Sequence, residues 1–196
     1  MQLSDPTTAQ KAELRRAAFA RRDALPAADR AAAAATIAAR PFPVDVPAGA
    51  VVSGFSPMRS EINPVPLMRA LADRGARLAL PVVQGRGRRL LFREWAFGQS
   101  LVAGVWGIRE PGPEAPVVEP DVLIVPMAAF DRRGHRIGYG AGYYDMTLSA
   151  LRAAKTIVAA GIAFAAQEID AVPDTPRDEV LDLIMTERDV IVPGRS

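Results

Sequence analysis

The sequence predicts an α/β fold: a three-layer sandwich with a mostly parallel central sheet and an N-terminal helical segment, in one domain covering residues 1–196. After residue 50, short apolar runs rich in β-branched residues alternate with stretches of helical periodicity, a pattern typical of a sheet covered by helices. The runs at 50–55 and 77–81 enclose one helix, and such a crossover makes the two strands parallel. The length of 196 residues is not far above the ~150 residues of one compact core.

The N-terminal segment is predicted to hold two helices. Thr7 is the expected N-cap of the first, with Gln10 reaching back to it as in a capping box, and Pro26 ends this helix. A second, alanine-rich helix is expected at residues 28–39. Three prolines then impose an extended linker: Pro41, Pro43 and Pro47.

The remaining elements continue the alternation of strands and helices. Two further helices are expected, at residues 64–74 and 142–153. The expected strands cover residues 50–55, 77–81, 90–95, 121–126 and 156–161, with short edge elements at 181–185 and 190–192. The strand at 90–95 is expected to pair antiparallel with its predecessor, and the Gly- and Pro-rich residues 98–120 to form a long loop.

Composition excludes several classes of protein. The sequence has no cysteine, which removes disulfides and thiolate sites, and a single histidine, His135, which removes multi-histidine metal sites. The formal net charge is only +2 despite a pI near 9.4, so we expect no nucleic-acid binding. No apolar stretch approaches the roughly 18–20 residues of a membrane span, and residues 1–6 lack the features of a secretory signal. We therefore expect a cytoplasmic protein without membrane partners, a monomer or weak dimer.

One segment carries the strongest functional signal. The buried strand at 121–126 feeds a loop that enters a helix near Gly142, and ligands of open α/β sheets bind at this carboxyl edge. Gly138, Gly140 and Gly142 alternate there, so backbone N–H groups can approach an anion beside the partial positive charge of the helix N-terminus. Arg136 adds a fork of donors. The pattern predicts a phosphate site, although a tight surface turn would also explain three glycines.

Two phenols and a carboxylate follow in the first helical turn, at Tyr143, Tyr144 and Asp145. These residue types are unfavourable in a helix and useful beside a nucleotide, although the tyrosines could instead be core aromatics. Asp145 is interpreted either as a partner of the helix dipole or as a ligand of Mg²⁺, which on phosphates usually takes one or two carboxylates.

Residues 126–145 resemble the signature of the 5-formyltetrahydrofolate cyclo-ligases, Pro-x-x-x-Phe-Asp-x-x-Gly-x-Arg-Leu-Gly-Tyr-Gly-x-Gly-Tyr-Tyr-Asp, with Ile137 in place of Leu. Weaker likenesses to the family extend over nearly the whole chain, at residues 11–15, 56–62, 106–111 and 178–187. The chain departs from the pattern at Ala141, Met146 and Arg177, where some members carry Lys, Arg and His. Candidate replacements for the missing loop cation lie in the turn before the third strand: Arg86, Arg88 and Arg89.

The resemblance implies ATP-dependent closure of 5-formyltetrahydrofolate to 5,10-methenyltetrahydrofolate, with phosphorylation of the formyl oxygen and release of ADP and phosphate. It implies ATP and Mg²⁺ as cofactors and a small-molecule folate as substrate. The implied catalytic residues are Lys11, Arg136 and Tyr143, and the implied metal ligand is Asp145. The implied nucleotide contacts are Lys11, Arg15, Arg136, Gly138, Tyr139, Gly140, Ala141, Gly142, Tyr143, Tyr144 and Asp145. The implied folate contacts are Phe55, Glu61, Trp106 and Tyr143.

Other interpretations of these residues stay open at the level of sequence. Lys11 could be a solvated helix lysine, Glu61 a cap of the next helix, and Trp106 a loop anchor. His135 is interpreted as a solvated loop residue, and Asp131 as a possible cap of its own turn. The same scaffold could also serve as a nucleotide-binding module without cyclo-ligase activity, or as a relative of sugar-phosphate isomerases or acyl-CoA transferases.

Overall fold

The computed structural model describes residues 6–194, so the interpretation of residues 1–5 as free of a secretory signal lies outside the described residues. Residues 6–194 form four α-helices: α1 (Pro6–Asp23), α2 (Ala27–Ala39), α3 (Val65–Ala72) and α4 (Tyr143–Ala154). They also form twelve strands: β1 (Val51–Ser53), β2 (Arg77–Val82), β3 (Leu91–Glu94), β4 (Leu101–Ala103), β5 (Arg109–Pro111), β6 (Val117–Val118), β7 (Val122–Val125), β8 (Ala129–Phe130), β9 (Arg136–Ile137), β10 (Val158–Ile162), β11 (Leu183–Met185) and β12 (Val190–Ile191). None of the described helices combines the length and the apolarity needed to cross a membrane.

Eight strands of the described chain form one sheet in the order β12-β11-β10-β7-β1-β2-β3-β6. The five neighbours from β11 to β2 are parallel. β12 and β3 run antiparallel to them, and β6 pairs antiparallel with β3. The pairing of Val52 with Leu78 aligns β1 and β2 in parallel, as the predicted β-α-β unit requires. The predicted α/β class and the mostly parallel sheet are therefore confirmed.

Alternate side chains of the central strands enter two different apolar layers. In β7, Val122 and Ile124 belong to the cluster that packs against α2 and α3. Leu123 and Val125 belong to the other cluster, which contains Leu148 of α4. Because successive strand side chains point to opposite faces, this alternation places α2 and α3 on one side of the sheet and α4 on the other.

The N-terminal helix packs outside these two layers. Ala18 of α1 is fully buried against a small cluster that includes Ala129 of β8 and Ile137 of β9. The β8–β9 hairpin leaves the carboxyl end of β7, so α1 lies at the edge of the sheet where ligands of parallel α/β folds bind. The helix is thereby brought beside the loop that follows β9.

The structure corrects three local predictions. α1 begins at Pro6, so Thr7 lies in its first turn and is not the N-cap; the fixed φ of proline suits a helix start. The predicted loop at 98–120 contains β4, β5 and β6, and the predicted loop after β7 folds into the β8–β9 hairpin. Strands of two or three residues are too short to produce a recognisable alternating pattern.

Candidate active site

The glycine loop, residues 138–142, leads from β9 into α4. Gly140 has a φ of +99° and Gly142, which precedes α4, a φ of +69°; both are left-handed conformations that favour glycine. A Cβ added at Gly138 or Gly142 would meet no other atom within 4 Å, so the loop borders open space. The first N–H groups of a helix lack partners within it and carry its partial positive charge. This geometry favours an anion site over a closed surface turn.

Two cations of α1 reach the loop region. Arg15 donates from Nε to the carbonyl oxygen of Gly138 at 2.6 Å, and its guanidinium lies 3.6 Å from the position that a Cβ at Gly140 would take. Lys11, one helical turn earlier, donates to Asp178 at 2.7 Å and is partly buried. The structure therefore brings α1 to the glycine loop, and Lys11 is not simply a solvated lysine.

Arg136 is the most enclosed of the predicted cations, with a side chain that is 4% exposed. It donates from Nη2 to Oδ1 of Asp145 at 2.8 Å and from Nη1 to the carbonyl oxygen of Glu179 at 2.5 Å. Oδ1 of Asp145 also accepts the Glu179 N–H at 3.1 Å. One carboxylate oxygen of Asp145 thus orients Arg136 from the first turn of α4.

Residues 175–179 belong to this site, although sequence reasoning did not assign them to it. Asp178 accepts hydrogen bonds from the N–H and the hydroxyl of Thr175 at 2.6 and 2.9 Å, besides the bond from Lys11. Burial raises the pKa of Asp178, but these hydrogen bonds outweigh it and hold the pKa below its ordinary value. The signal that could have found this segment is its likeness to the family pattern at 178–187.

Glu61 is buried in the later part of the segment between β1 and α3, with a relative exposure of 9%. Its Oε2 accepts the Met58 N–H at 2.6 Å, whereas its Oε1 has no hydrogen-bond partner among the described residues. Burial raises the pKa of Glu61, and Tyr139, the Met58 N–H and Arg22 oppose that shift. The Tyr139 phenol is near enough to favour the charged form, but its geometry falls short of a hydrogen bond to Oε1.

The alternative role of Glu61 as a helix cap is wrong. The Val65 N–H at the start of α3 is taken by the side chain of Asn63 at 3.0 Å. Glu61 instead closes its own turn through Met58 and keeps one buried oxygen unused. An unpaired buried acceptor is costly, so this oxygen is a candidate for a ligand N–H group.

Arg22 is a site residue that sequence reasoning missed. It lies on α1, is 2% exposed, and donates to the Ser60 hydroxyl at 3.0 Å and to the Tyr139 phenol at 2.9 Å. Burial raises the pKa of Tyr139, the charge of Glu61 raises it further, and Arg22 opposes both effects. The available signal was spacing along the helix. Arg22 follows Ala18 by four residues, so the two side chains share one helix face, and the structure buries that face at Ala18.

Two aromatic residues meet at the first turn of α4. The Trp106 ring is 6.1 Å from the Tyr143 ring, tilted by 52°, and Trp106 is 66% exposed. The structure thus brings Trp106 beside Tyr143 of the predicted site, and the choice between folate contact and loop anchor stays a prediction. Burial raises the pKa of Tyr144, and the charge of Glu61 raises it further, so this phenol lies in the field of that carboxylate.

Four residues complete the comparison with the sequence predictions. Phe55 is buried in the apolar layer beside α2 and α3, so its folate contact stays a prediction. Asp131 accepts the N–H groups of Arg133 and Val172 and caps its turn as interpreted. The interpretation of His135 as solvated is wrong, since it is partly buried and its Nδ1 is enclosed without a described partner. Arg89 pairs loosely with Glu119 at 3.5 Å.

Ala141 leaves the loop without a cation of its own, and Arg15 is the guanidinium that lies against it. Arg15 is only partly buried, and burial lowers its pKa without removing its charge. Its position makes Arg15 a structural candidate for replacing a loop lysine, and the same role for Arg86, Arg88 or Arg89 stays a prediction.

Comparison with known proteins agrees with this geometry. Residues 7–187 match the model of the 5-formyltetrahydrofolate cyclo-ligase family. The chain is 33% identical over 151 residues to a 5-formyltetrahydrofolate cyclo-ligase of Mycolicibacterium smegmatis, covering 74% of this chain and 77% of the relative. It is 34% identical over 140 residues to the 5-formyltetrahydrofolate cyclo-ligase of Escherichia coli K12, covering 69% of this chain and 76% of the relative.

Solved structures extend the likeness to the three-dimensional fold. The NMR structure of Aquifex aeolicus 5,10-methenyltetrahydrofolate synthetase superposes with a TM-score of 0.77 and 28% identity, covering 95% of both chains. A 5,10-methenyltetrahydrofolate synthetase from Mycoplasma pneumoniae shares the fold, with a TM-score of 0.68 at 22% identity over 90% of this chain and 98% of that one. By its motifs, its fold and these matches, the chain belongs to the 5-formyltetrahydrofolate cyclo-ligase family.

Proposed function

We propose that this protein uses ATP to close 5-formyltetrahydrofolate to 5,10-methenyltetrahydrofolate. The observation that carries the proposal is the meeting of two unlike sites at one edge of the sheet. A glycine loop flanked by cations adjoins Glu61, whose buried Oε1 has no partner among residues 6–194. The first site suits a phosphate chain and the second suits the N–H groups of a flat heterocycle.

The reaction needs both sites because a formamide is a poor electrophile and its oxygen a poor leaving group. The formyl oxygen attacks the γ-phosphorus of ATP, and the bond to ADP breaks. N10 then attacks the activated formyl carbon, and the carbon–oxygen bond breaks with release of phosphate. The N10 proton is lost as the C=N⁺ bond of the product forms. Phosphoryl transfer of this kind depends mostly on position and on neutralisation of charge.

The nucleotide half of the site is proposed to consist of the glycine loop and the cations around it. Lys11 and Arg15 approach from α1, and Arg136 from β9, so two different elements contribute positive charge near the loop. Lys11 and Arg136 are proposed to act catalytically by neutralising charge on the transferred phosphoryl group. The loop and the first turn of α4 supply the remaining proposed contacts: Gly138, Tyr139, Gly140, Ala141, Gly142, Tyr143, Tyr144 and Asp145.

The folate half is proposed to centre on Glu61. Its free oxygen would accept N–H groups of the folate, while the exposed ring of Trp106 stacks on the flat pterin beside Tyr143. Tyr143 is the first residue of α4 and its ring lies 6.1 Å from that of Trp106, which supports a role at the formyl group. Phe55 is proposed as an apolar support behind this half.

Magnesium is proposed to join the nucleotide through Asp145. Asp145 bonds Arg136 through its Oδ1 atom, and its side chain is still 31% exposed. Its other oxygen therefore fits a cation that is shared with phosphates. Among residues 6–194, no group of three His, Cys, Asp or Glu side chains is arranged to hold a metal ion, and Asp145 is the one protein ligand proposed here. Bound there, Mg²⁺ would neutralise phosphate charge, and Asp145 would orient Arg136 at the same time.

The test mixes the protein with 5-formyltetrahydrofolate and MgATP and follows the absorbance of the methenyl product. ADP should form with 5-formyltetrahydrofolate but not with 5-methyltetrahydrofolate, whose one-carbon group has no oxygen to accept phosphate. ATP hydrolysis at the same rate without folate would refute the proposal. Nucleotide binding without methenyl product would favour a nucleotide-binding module that lacks cyclo-ligase activity.

Three further parts of the proposal follow from the sequence. We propose that residues 1–196 act as one domain, supported by a single sheet that joins strands from Val51 to Ile191. A monomer or weak dimer and a cytoplasmic location are retained as expectations. Sedimentation of the purified protein and fractionation of its host cell test these two statements directly.

A further inference from the structure

Arg22 is a buried cation that the proposed reaction does not use. It lies on α1 with a relative exposure of 2%, and its guanidinium carbon is 4.8 Å from the centroid of the Phe19 ring. Burying a charge is costly unless its donors are satisfied. Here Nε donates to the hydroxyl of Ser60 at 3.0 Å, and Nη1 donates to the phenol of Tyr139 at 2.9 Å.

The two acceptors of Arg22 belong to different halves of the site. Ser60 immediately precedes Glu61, and Tyr139 lies within the glycine loop. They are 38 and 117 positions away from Arg22 in the sequence, so these hydrogen bonds join three separate segments. The hydroxyl of Ser60 in turn donates to Asp23, which lies 3.7 Å from Arg22.

We propose that Arg22 is a positioning residue that holds the Glu61 turn and the glycine loop at a fixed separation, so that folate and triphosphate meet in line. The inference rests on the proposed function, because it requires folate at Glu61 and phosphate at the glycine loop. The formyl oxygen must reach the γ-phosphorus, and a misplacement of about 1 Å can cost ~10²-fold in rate. A guanidinium suits this task because its planar fork donates in two fixed directions, which a lysine ammonium does not.

Arg22 has a second effect, on the charge of Glu61. The groups that face Glu61 are Arg22 from α1, Tyr139 from the glycine loop and Tyr144 from α4, besides the Met58 N–H of its own turn. Burial raises the pKa of Glu61, and Arg22 is the cation in this set that opposes it. Loss of Arg22 should therefore raise the pKa of Glu61 further. On acidification, Glu61 would then become protonated at a higher pH, and activity that needs its carboxylate would be lost at that higher pH.

The test compares Arg22→Met and Arg22→Lys with the matched control Arg21→Met, all in the full chain with 5-formyltetrahydrofolate and MgATP. Arg21 neighbours Arg22 on α1, is exposed, and donates to the carbonyl oxygen of Ala166 at 2.8 Å, away from both acceptors of Arg22. We expect kcat of Arg22→Met to fall by about 10²-fold while nucleotide affinity stays near that of the unaltered protein. The acid limb of its pH–rate profile should move to higher pH.

The remaining variants separate position from charge. Arg22→Lys keeps the charge and loses the fork, so it should restore the acid limb but recover kcat only in part. Arg21→Met should leave both readouts unchanged. An unaltered kcat with an unshifted acid limb in folded Arg22→Met would overturn the inference, and so would equal losses in Arg21→Met.

Two other outcomes are decisive as well. If Arg22→Met does not fold, Arg22→Lys alone tests the inference. A full kcat in Arg22→Lys, which lacks the guanidinium, would contradict a positioning role. If the unaltered protein forms no methenyl product, the proposed function and the inference fail together. If the unaltered protein is active and the Arg22 variants keep its kcat and acid limb, only the inference is overturned.

Discussion

The sheet and the candidate site are held together by different kinds of contact. In the sheet, apolar side chains such as Leu123 and Ile124 are fully buried between helical layers. At the site, cations are tied to carboxylates and carbonyl groups far along the chain, Lys11 to Asp178 across 167 positions and Arg15 to Gly138 across 123. Apolar packing is indifferent to a ligand, whereas a cation can exchange a carboxylate for a phosphate oxygen. The difference implies a rigid frame that carries an adjustable, charged edge.

The largest expected effect tests the frame. Leu71 of α3 is 2% exposed in the apolar layer that faces away from α4. Leu71→Ala should lower the free energy of unfolding by about 2–5 kcal/mol, through lost burial and the cavity left behind. Urea denaturation measures this, and KM for both substrates should stay unchanged in the folded protein. A large change in KM would show that the frame and the site are not separate.

The next effect tests the charged edge. Lys11→Ala should lower kcat by about 10²-fold, the scale of one lost group that stabilises developing charge, and Lys11→Arg should recover only part of it. Lys155 offers a matched control, because it forms an ion pair of the same kind with Asp121 at 2.6 Å, outside the site. Lys155→Ala should leave kcat unchanged. Equal kcat values for the two alanine variants would make Lys11 an ordinary structural lysine.

Glu61→Gln sharpens the comparison between the apolar sheet and the charged site, since this carboxylate is buried and also belongs to the site. Loss of one charged hydrogen bond should raise the folate KM or lower kcat by about 10- to 150-fold, with nucleotide affinity preserved. Steady-state kinetics and a binding titration with ATP check the two halves separately. A parallel loss of ATP affinity would contradict the assignment of Glu61 to folate.

The same variant carries a prediction for stability. Because burial raises the pKa of Glu61, the protonated group stabilises the fold, and this contribution is lost as pH rises through the raised pKa. Glu61→Gln should remove that slope, so the stability of the variant relative to the unaltered protein should increase as pH rises above about 4. Urea denaturation across a pH series measures it, and parallel curves would contradict the predicted direction.

The smallest effect concerns the glycine loop. Gly140→Val adds strain at a positive φ and a branched side chain where phosphate is expected, so ATP affinity should fall by about 10-fold, the lower end of the range for one charged hydrogen bond. Gly87 also has a positive φ, +72°, with open space around it, and Gly87→Val is the control for strain alone. Unchanged ATP affinity in folded Gly140→Val, or an equal loss in the control, would exclude the loop from the phosphate site.

Sequence reasoning succeeded where local pattern decides the structure. The strand at 121–126 and the helix opening after Gly142 were predicted closely, because a buried apolar run and a glycine before a helix are local signals. The pairing of Arg22 with Tyr139 and of Lys11 with Asp178 was missed, since these partners lie 117 and 167 positions apart and no local pattern encodes such contacts. The β4–β5 hairpin was missed because its strands have three residues each.

The bond between Lys11 and Asp178 also bears on how the protein is made. During translation Asp178 follows Lys11 by 167 residues, a delay on the order of ten seconds. Until then the strands of the nascent chain can begin to pair into the sheet, but Lys11 of α1 lacks its partner Asp178. A nascent chain that stops short of Thr175 would retain the glycine loop and α4 and lose the carboxylate that holds Lys11. Full activity should therefore appear only after synthesis has passed Asp178.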